Sequence, residues 1–154
     1  MFRKSFVAAI AVAALTLSTA AFAQTTQFGT AAEAKAMLEK AVTAVKADKA
    51  KAIAMFNKGE GGFKDRDLYP FCFNVADGVI VAGPASVMNK DTRTLKDPTG
   101  KAFGEDIFKA AKDGVVTEVN YMFPRPGAAD TTPVAKVSFV TKAGDLGCGV
   151  GYYK

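Results

Sequence analysis

Tyr121-Met-Phe-Pro-Arg-Pro-Gly127, Pro133-Val-Ala-Lys-Val-Ser-Phe-Val140 and Gly144-Asp-Leu-Gly-Cys-Gly-Val-Gly-Tyr-Tyr-Lys154 form the block whose reading decides the fold. Apolar residues alternate through it and Pro/Gly turns interrupt it, so it predicts three short strands with two turns. In the last strand Gly147, Gly149 and Gly151 leave one face bare, while Leu146, Cys148, Val150 and Tyr152 fill the other. Glycine weakens a strand, so a bare row implies that something approaches that face closely.

Upstream, Val115 to Phe123 alternates with Val115, Thr117, Val119, Tyr121 and Phe123 on one face. Leu68 to Val75 predicts a strand with Tyr69, Phe71, Phe73 and Val75 on one side and Leu68, Pro70, Cys72 and Asn74 on the other. Pro70 belongs near its start or at a bulge, because it has no N–H for a ladder. Asp77-Gly78 is a hairpin turn leading to a partner strand over Val79 to Ala82. Gly83 to Gly100 is a long connection without periodicity, closed by the turn Asp97-Pro-Thr-Gly100. Phe103, Ile107, Ala110 and Ala111 mark a short helix, with Gly114 as its left-handed cap.

Thr30-Ala-Ala-Glu33 is a capping box. It opens a stretch from Ala31 to Asn57 rich in helix formers. Leu38, Ala41, Val42, Val45, Ala52, Ile53 and Phe56 fall near one face, interrupted by Lys49, and Gly59, Gly61 and Gly62 end the run. The reading is one long amphipathic helix. With five predicted strands and short connections it makes an α+β fold around an antiparallel sheet.

Arg3-Lys4, the apolar run Phe6 to Leu17 and the small-x-small triplet Ala21-Phe22-Ala23 read as a signal peptide over 1–23, cleaved after Ala23. The apolar run is shorter than the roughly 20 residues of a spanning helix, so the expected mature chain, 24–154, has no membrane span. The compartment is then the periplasm of a bacterium. Loss of Arg3 and Lys4 lowers the formal charge from +5 to +3, since the leader carries no acid. Basic residues are dispersed, with no stripe and no interleaved aromatics, so no nucleic-acid footprint is present. The absence of histidine excludes Ser-His-Asp and Cys-His catalysis, histidine metal sites and haem ligation by histidine. No catalytic set, cofactor site or metal site is expected, and the chain reads as a non-enzyme.

Two cysteines, Cys72 and Cys148, in an exported chain read by default as a disulfide, the alternative being two buried thiols. If they pair, their strands are neighbours with both sulfurs on one face. The row Tyr69, Phe71, Phe73 then lies on the same face as the glycine row, and large beside small fills volume without overpacking.

The order of these segments resembles the single Cache domains of bacterial chemoreceptors and sensor kinases. The long helix comes first, then Phe71-Cys-Phe-Asn-Val-Ala-Asp-Gly and Asn89-Lys-Asp-Thr-Arg-Thr-Leu-Lys-Asp-Pro-Thr-Gly. A helix with Ile107-Phe108 and the final block from Tyr121 follow. The likeness covers about Ala31 to Lys154. It implies a PAS-like five-stranded sheet with the long helix on one side, a ligand pocket on the other, and the first and last strands adjacent. It also implies small metabolites, often carboxylates, as ligands, and a homodimer through the long helix. Gly83-Pro84 stands where family members often carry His-Pro. Without an anchor after cleavage, the chain resembles a free-standing periplasmic member that acts with a membrane receptor or sensor kinase.

Within that frame, Arg125, fixed between two prolines, suits bidentate carboxylate binding, against a solvated turn arginine. Lys136 and Ser138 share a strand face and suit an anion above the sheet, against an edge-strand lysine facing water. Tyr121 and Phe123 are candidates for pocket wall or core. Phe71 and Phe73 lie opposite the face of Cys148 and Tyr152, and only one of these groups faces a pocket. The expected function is sensory binding of a small anionic metabolite. The other reading is an interaction module whose pocket is filled by its own aromatics.

Overall fold

A computed structural model describes residues 27–154. The predicted leader and cleavage site lie outside the described residues. Among those residues no helix is long and apolar enough to cross a membrane.

The chain opens with α1 (Ala31–Ala47) and α2 (Lys49–Lys58). The capping box forms as expected: Glu33 N–H donates to the Thr30 hydroxyl, and Thr30 N–H donates to the Glu33 carboxylate at 2.8 Å. The single long helix does not. Asp48 leaves helical geometry at φ −158°, ends α1 and caps α2, its carboxylate accepting from Lys51 N–H at 3.0 Å. An aspartate competes with the helix by bonding its own neighbours' N–H groups, so it starts a new helix here instead of continuing the old one. The break re-aims the chain, and Lys49 reaches Asp145, in the turn before the last strand, at 2.7 Å. Gly59, in the left-handed region at φ 68°, closes α2.

Five antiparallel strands follow: β1 (Pro70–Asn74), β2 (Ile80–Ala82), β3 (Thr117–Pro124), β4 (Pro133–Ala143) and β5 (Leu146–Tyr153), in the order β2-β1-β5-β4-β3. Pro70 begins β1, where no ladder N–H is missed. The first and last strands are neighbours, with Cys72 directly opposite Cys148. The two sulfurs form a disulfide, fully buried on the face that α1 and α2 cover with Ala34, Leu38, Ala41 and Phe56. Tyr152 packs on that same face.

The opposite face is covered by α3 (Phe103–Ala110) and by the connection from Gly83, which carries a short 3-10 turn, Thr92–Thr94. α3 ends at Ala111 with ordinary φ, so Gly114 is not its cap. Gly114 does adopt φ 71°, but it turns the chain between Lys112 and Val115. Strand β3 is one free edge of the sheet, and the turn after the connection shields it. Asp97 accepts from Met122 N–H at 3.1 Å, and Lys101 donates to the Asn120 carbonyl. A covered edge resists pairing with a second chain.

Candidate functional site

The glycine row of β5 is the floor of the site. A methyl at Gly147 would overlap the Phe73 ring, and one at Gly149 would overlap Phe71 and meet the Phe139 carbonyl at 2.9 Å. At Gly151 a methyl would overlap the Lys136 stem and sit 2.5 Å from the Ser138 hydroxyl. The large residues over the bare row are therefore two phenylalanines from β1 and one lysine from β4. Lys136 lies opposite Tyr121 on one side and Tyr153 on the other. Its stem crosses Gly151, and its Nζ donates to the Tyr69 hydroxyl at 2.9 Å. Gly151→Ala is expected to displace that stem and to destabilise the protein by about 1–3 kcal/mol. Chemical denaturation of the variant checks it.

Lys136 is 2 % exposed. β4 lies between β5 and β3, so the lysine is central and buried, not an edge residue facing water. Its ammonium stands over the rings of Tyr69, Tyr153 and Phe123 at 4.6–5.0 Å from their centroids. None of the ion pairs among the described residues includes it. Burial pulls its pKa from the ordinary 10.5 down to about 7, with the charge of Asp67 working the other way. The ring faces also favour the charged form. Burial raises the hydroxyls around it: Tyr69 and Tyr121 well above the usual phenol range, Tyr153 to about 12. All three stay protonated at neutral pH.

A stability signature follows from this burial. The folded protein holds the Lys136 proton less tightly than the unfolded chain, so unfolding takes up a proton between about pH 7 and 10.5. Stability should therefore rise with pH from 7 towards 9.5, by at most about 1.4 kcal/mol per unit. The tyrosines oppose this only above pH 10, where the unfolded phenols begin to ionise. Denaturant unfolding at pH 7 and 9 reads the slope, and in Lys136→Met the rise should vanish.

Lys136 lines a small cavity with Tyr69, Phe71, Tyr121 and Phe123 from the sheet. Ile80 of β2 joins that wall, and Pro84, Val87, Leu95, Phe103 and Ile107 close it from above. Phe103 stacks on Tyr121 with centroids 4.3 Å apart, and the Tyr121 hydroxyl is 2.8 Å from Ser138 Oγ. Thr92 also lines the cavity, and its buried hydroxyl has no hydrogen-bond partner. The space is about 30 Å³, enough for a water or two. A second, more open cleft lies at the C-terminal end of α2, and Tyr69 and Pro84 stand in the walls of both.

The candidates separate accordingly. Lys136, Tyr121, Phe123 and Phe71 meet at one cavity, with Ser138 bonded to Tyr121 beneath it. Phe73 packs in the core against Phe108. Arg125 does not line the cavity. Its Nε lies 3.5 Å from Asp67 Oδ2, and its guanidinium stacks over Phe28 at 3.8 Å and Tyr153 at 5.0 Å. Asp67 also accepts from Gly29 N–H at 2.7 Å, so this pair fastens the entry to α1. Tyr69, Thr92 and the apolar cover were not among the expected site residues. The face alternation of β1 already aligned Tyr69 with Phe71, but nothing local marked the cover.

The family model described as the Cache domain matches residues 16–154. A search of the curated proteins finds no match. Among solved structures the chain is similar to a periplasmic sensor domain of a chemotaxis protein, with 21% identity and a TM-score of 0.59 over 78% of this chain and 87% of that one. It is similar to a methyl-accepting chemotaxis protein from Vibrio parahaemolyticus RIMD 2210633, with 20% identity and a TM-score of 0.60 over 79% and 86%. A third neighbour, described under carboxylic acid recognition by a Cache chemosensory domain, shares 23% identity and a TM-score of 0.58 over 78% and 85%. At these identities the structures establish the fold, and the family match, running through nearly the whole chain, establishes the lineage. The chain belongs to the Cache domain family.

Proposed function

We propose that this protein is a periplasmic sensory domain that binds a small carboxylate on Lys136. The observation that carries the reading is the enclosed ammonium with a tyrosine hydroxyl and three ring faces but no carboxylate against it. A buried charge is costly unless it is paired, and a ligand carboxylate supplies the missing partner. The apolar cover suits a short hydrocarbon body, and the unpartnered Thr92 hydroxyl offers one further polar contact. A structural neighbour described by its recognition of carboxylic acid agrees with this chemistry. A membrane receptor or sensor kinase would read the loaded state, and the chain itself performs no catalysis.

One observation favours the second reading, an interaction module with a self-filled pocket: the cavity now holds no more than a water or two. A ligand of several heavy atoms requires the cover to move outward. A thermal-shift panel of matched acids and amides at pH 6, such as propionate against propionamide, separates the two. Binding to the folded state alone raises stability by about 2.7 kcal/mol at a hundredfold excess over Kd. Shifts with acids and none with amides support the sensor. A flat panel on well-folded protein supports the module.

A further inference from the structure

We propose that Lys136 captures 2-oxo acids covalently, as a reversible imine on its Nζ. This rests on the carboxylate reading of the same cavity and narrows its ligand class. Three features of the geometry point to it. The amine is enclosed and lines the cavity directly, so a small ligand meets it with little competing water. No carboxylate is in ion-pair contact with it, since Asp67, whose charge favours the ammonium from farther off, pairs with Arg125, and its one hydrogen bond is to a tyrosine hydroxyl. That hydroxyl, on Tyr69, stays protonated and lies 2.9 Å from the nitrogen, within reach for proton transfer. Burial in an apolar site also leaves a large share of the amine uncharged near neutral pH, which is how a lysine becomes a nucleophile.

The step balances without any outside reagent. The neutral nitrogen attacks the ketone carbon, a C–N bond forms, and the carbonyl electron pair moves to oxygen, which takes up a proton. The carbinolamine then loses its hydroxyl as water, with the Tyr69 O–H supplying the proton. The nitrogen, which passed one proton to the oxygen on attack, closes the C=N bond with its lone pair as an iminium, and the proton that the ammonium released before attack restores Tyr69. In sum, an ammonium and a ketone give an iminium and one water, with no change of oxidation state. The iminium keeps the positive charge under the rings of Tyr69, Tyr153 and Phe123, beside the ligand's own carboxylate. A 2-oxo acid is the class that offers the carbonyl and the anion on adjacent carbons.

The test is reductive trapping on the wild-type protein. Pyruvate or glyoxylate is added at pH 7.5 with cyanoborohydride, followed by intact mass and peptide mapping, with propionate in a parallel thermal-shift run. The expected result is a single reduced adduct on the Lys136 peptide, at a 2-oxo acid concentration that leaves the surface lysines unmodified. Excess propionate should suppress it. Adducts confined to surface lysines, or no adduct, would overturn the proposal. If propionate still shifts the melting curve in that case, the anion site stands and only the imine falls; if it does not, both fall.

Discussion

Lys136→Met should abolish carboxylate binding and at the same time make the protein more stable. The two effects have one cause. Folding places the Lys136 amine where only 2 % of the residue meets solvent, and the free protein offers it one hydroxyl and three ring faces in place of water. Methionine has nearly the same length and no charge to desolvate, and it fills the space over Gly151 with apolar atoms. Replacing buried charge by a well-packed apolar group is stabilising by about 1–4 kcal/mol in comparable cases. Removing the cation from a buried charge pair costs about 2–5 kcal/mol of binding, roughly thirty-fold or more in Kd. A melting curve and a titration with propionate measure both. A variant that loses stability and keeps binding would place the anion elsewhere.

The second large effect concerns Cys72–Cys148. The bond joins residues 76 apart in sequence. In the chain-entropy model a loop of that length contributes about 4 kcal/mol of stability, most of it by restricting the unfolded chain. The Cys72→Ala/Cys148→Ala variant should lose at least that much, because two small voids are left in the core under α1. The sulfurs are fully buried, so reductant added to native protein should act only as fast as the protein opens. The bond also ties β1 to β5, which holds Phe71 and Phe73 over the glycine row, with Tyr69 just ahead of β1 bonded to Lys136. Weaker propionate binding in the variant at a temperature where it remains folded is therefore expected. A loss below about 1 kcal/mol in denaturant unfolding would show that the sheet is held by its ladder and core alone.

The parts of the fold that were legible in advance are those set by neighbours in sequence. Thr30 and Glu33 sit at capping-box spacing, and the alternation of β1 and β5 fixed which residues share a face. The glycine row opposite large side chains carried information beyond its own strand, because empty volume on one strand must be filled by another. The parts that were not legible depend on distant segments. Lys136 read equally well as an exposed lysine until β4 took its place between β5 and β3. Arg125 looked preorganised by its prolines, but Asp67, far away in sequence, occupies it. Asp48 lies inside a strong helical pattern that hides it, although an aspartate preceding Lys-Ala-Lys has the chemistry of a cap. The segment from Gly83 shows no periodicity because it wraps a cavity and does not lie on a regular surface, so Val87, Thr92 and Leu95 gave no sign of their role.

The most direct test of an anion paired with Lys136 is calorimetric titration of propionate at pH 6 and at pH 8.5, each in two buffers of different ionisation enthalpy. Burial holds the free amine near pKa 7, and a bound carboxylate favours its charged form. Binding at pH 8.5 should therefore take up close to one proton, with affinity falling about tenfold per pH unit above 7. At pH 6 the amine is already charged, and binding should proceed with little proton uptake. Equal affinity at both pH values with no proton taken up would contradict the assignment of Lys136 as the residue that receives the ligand's charge.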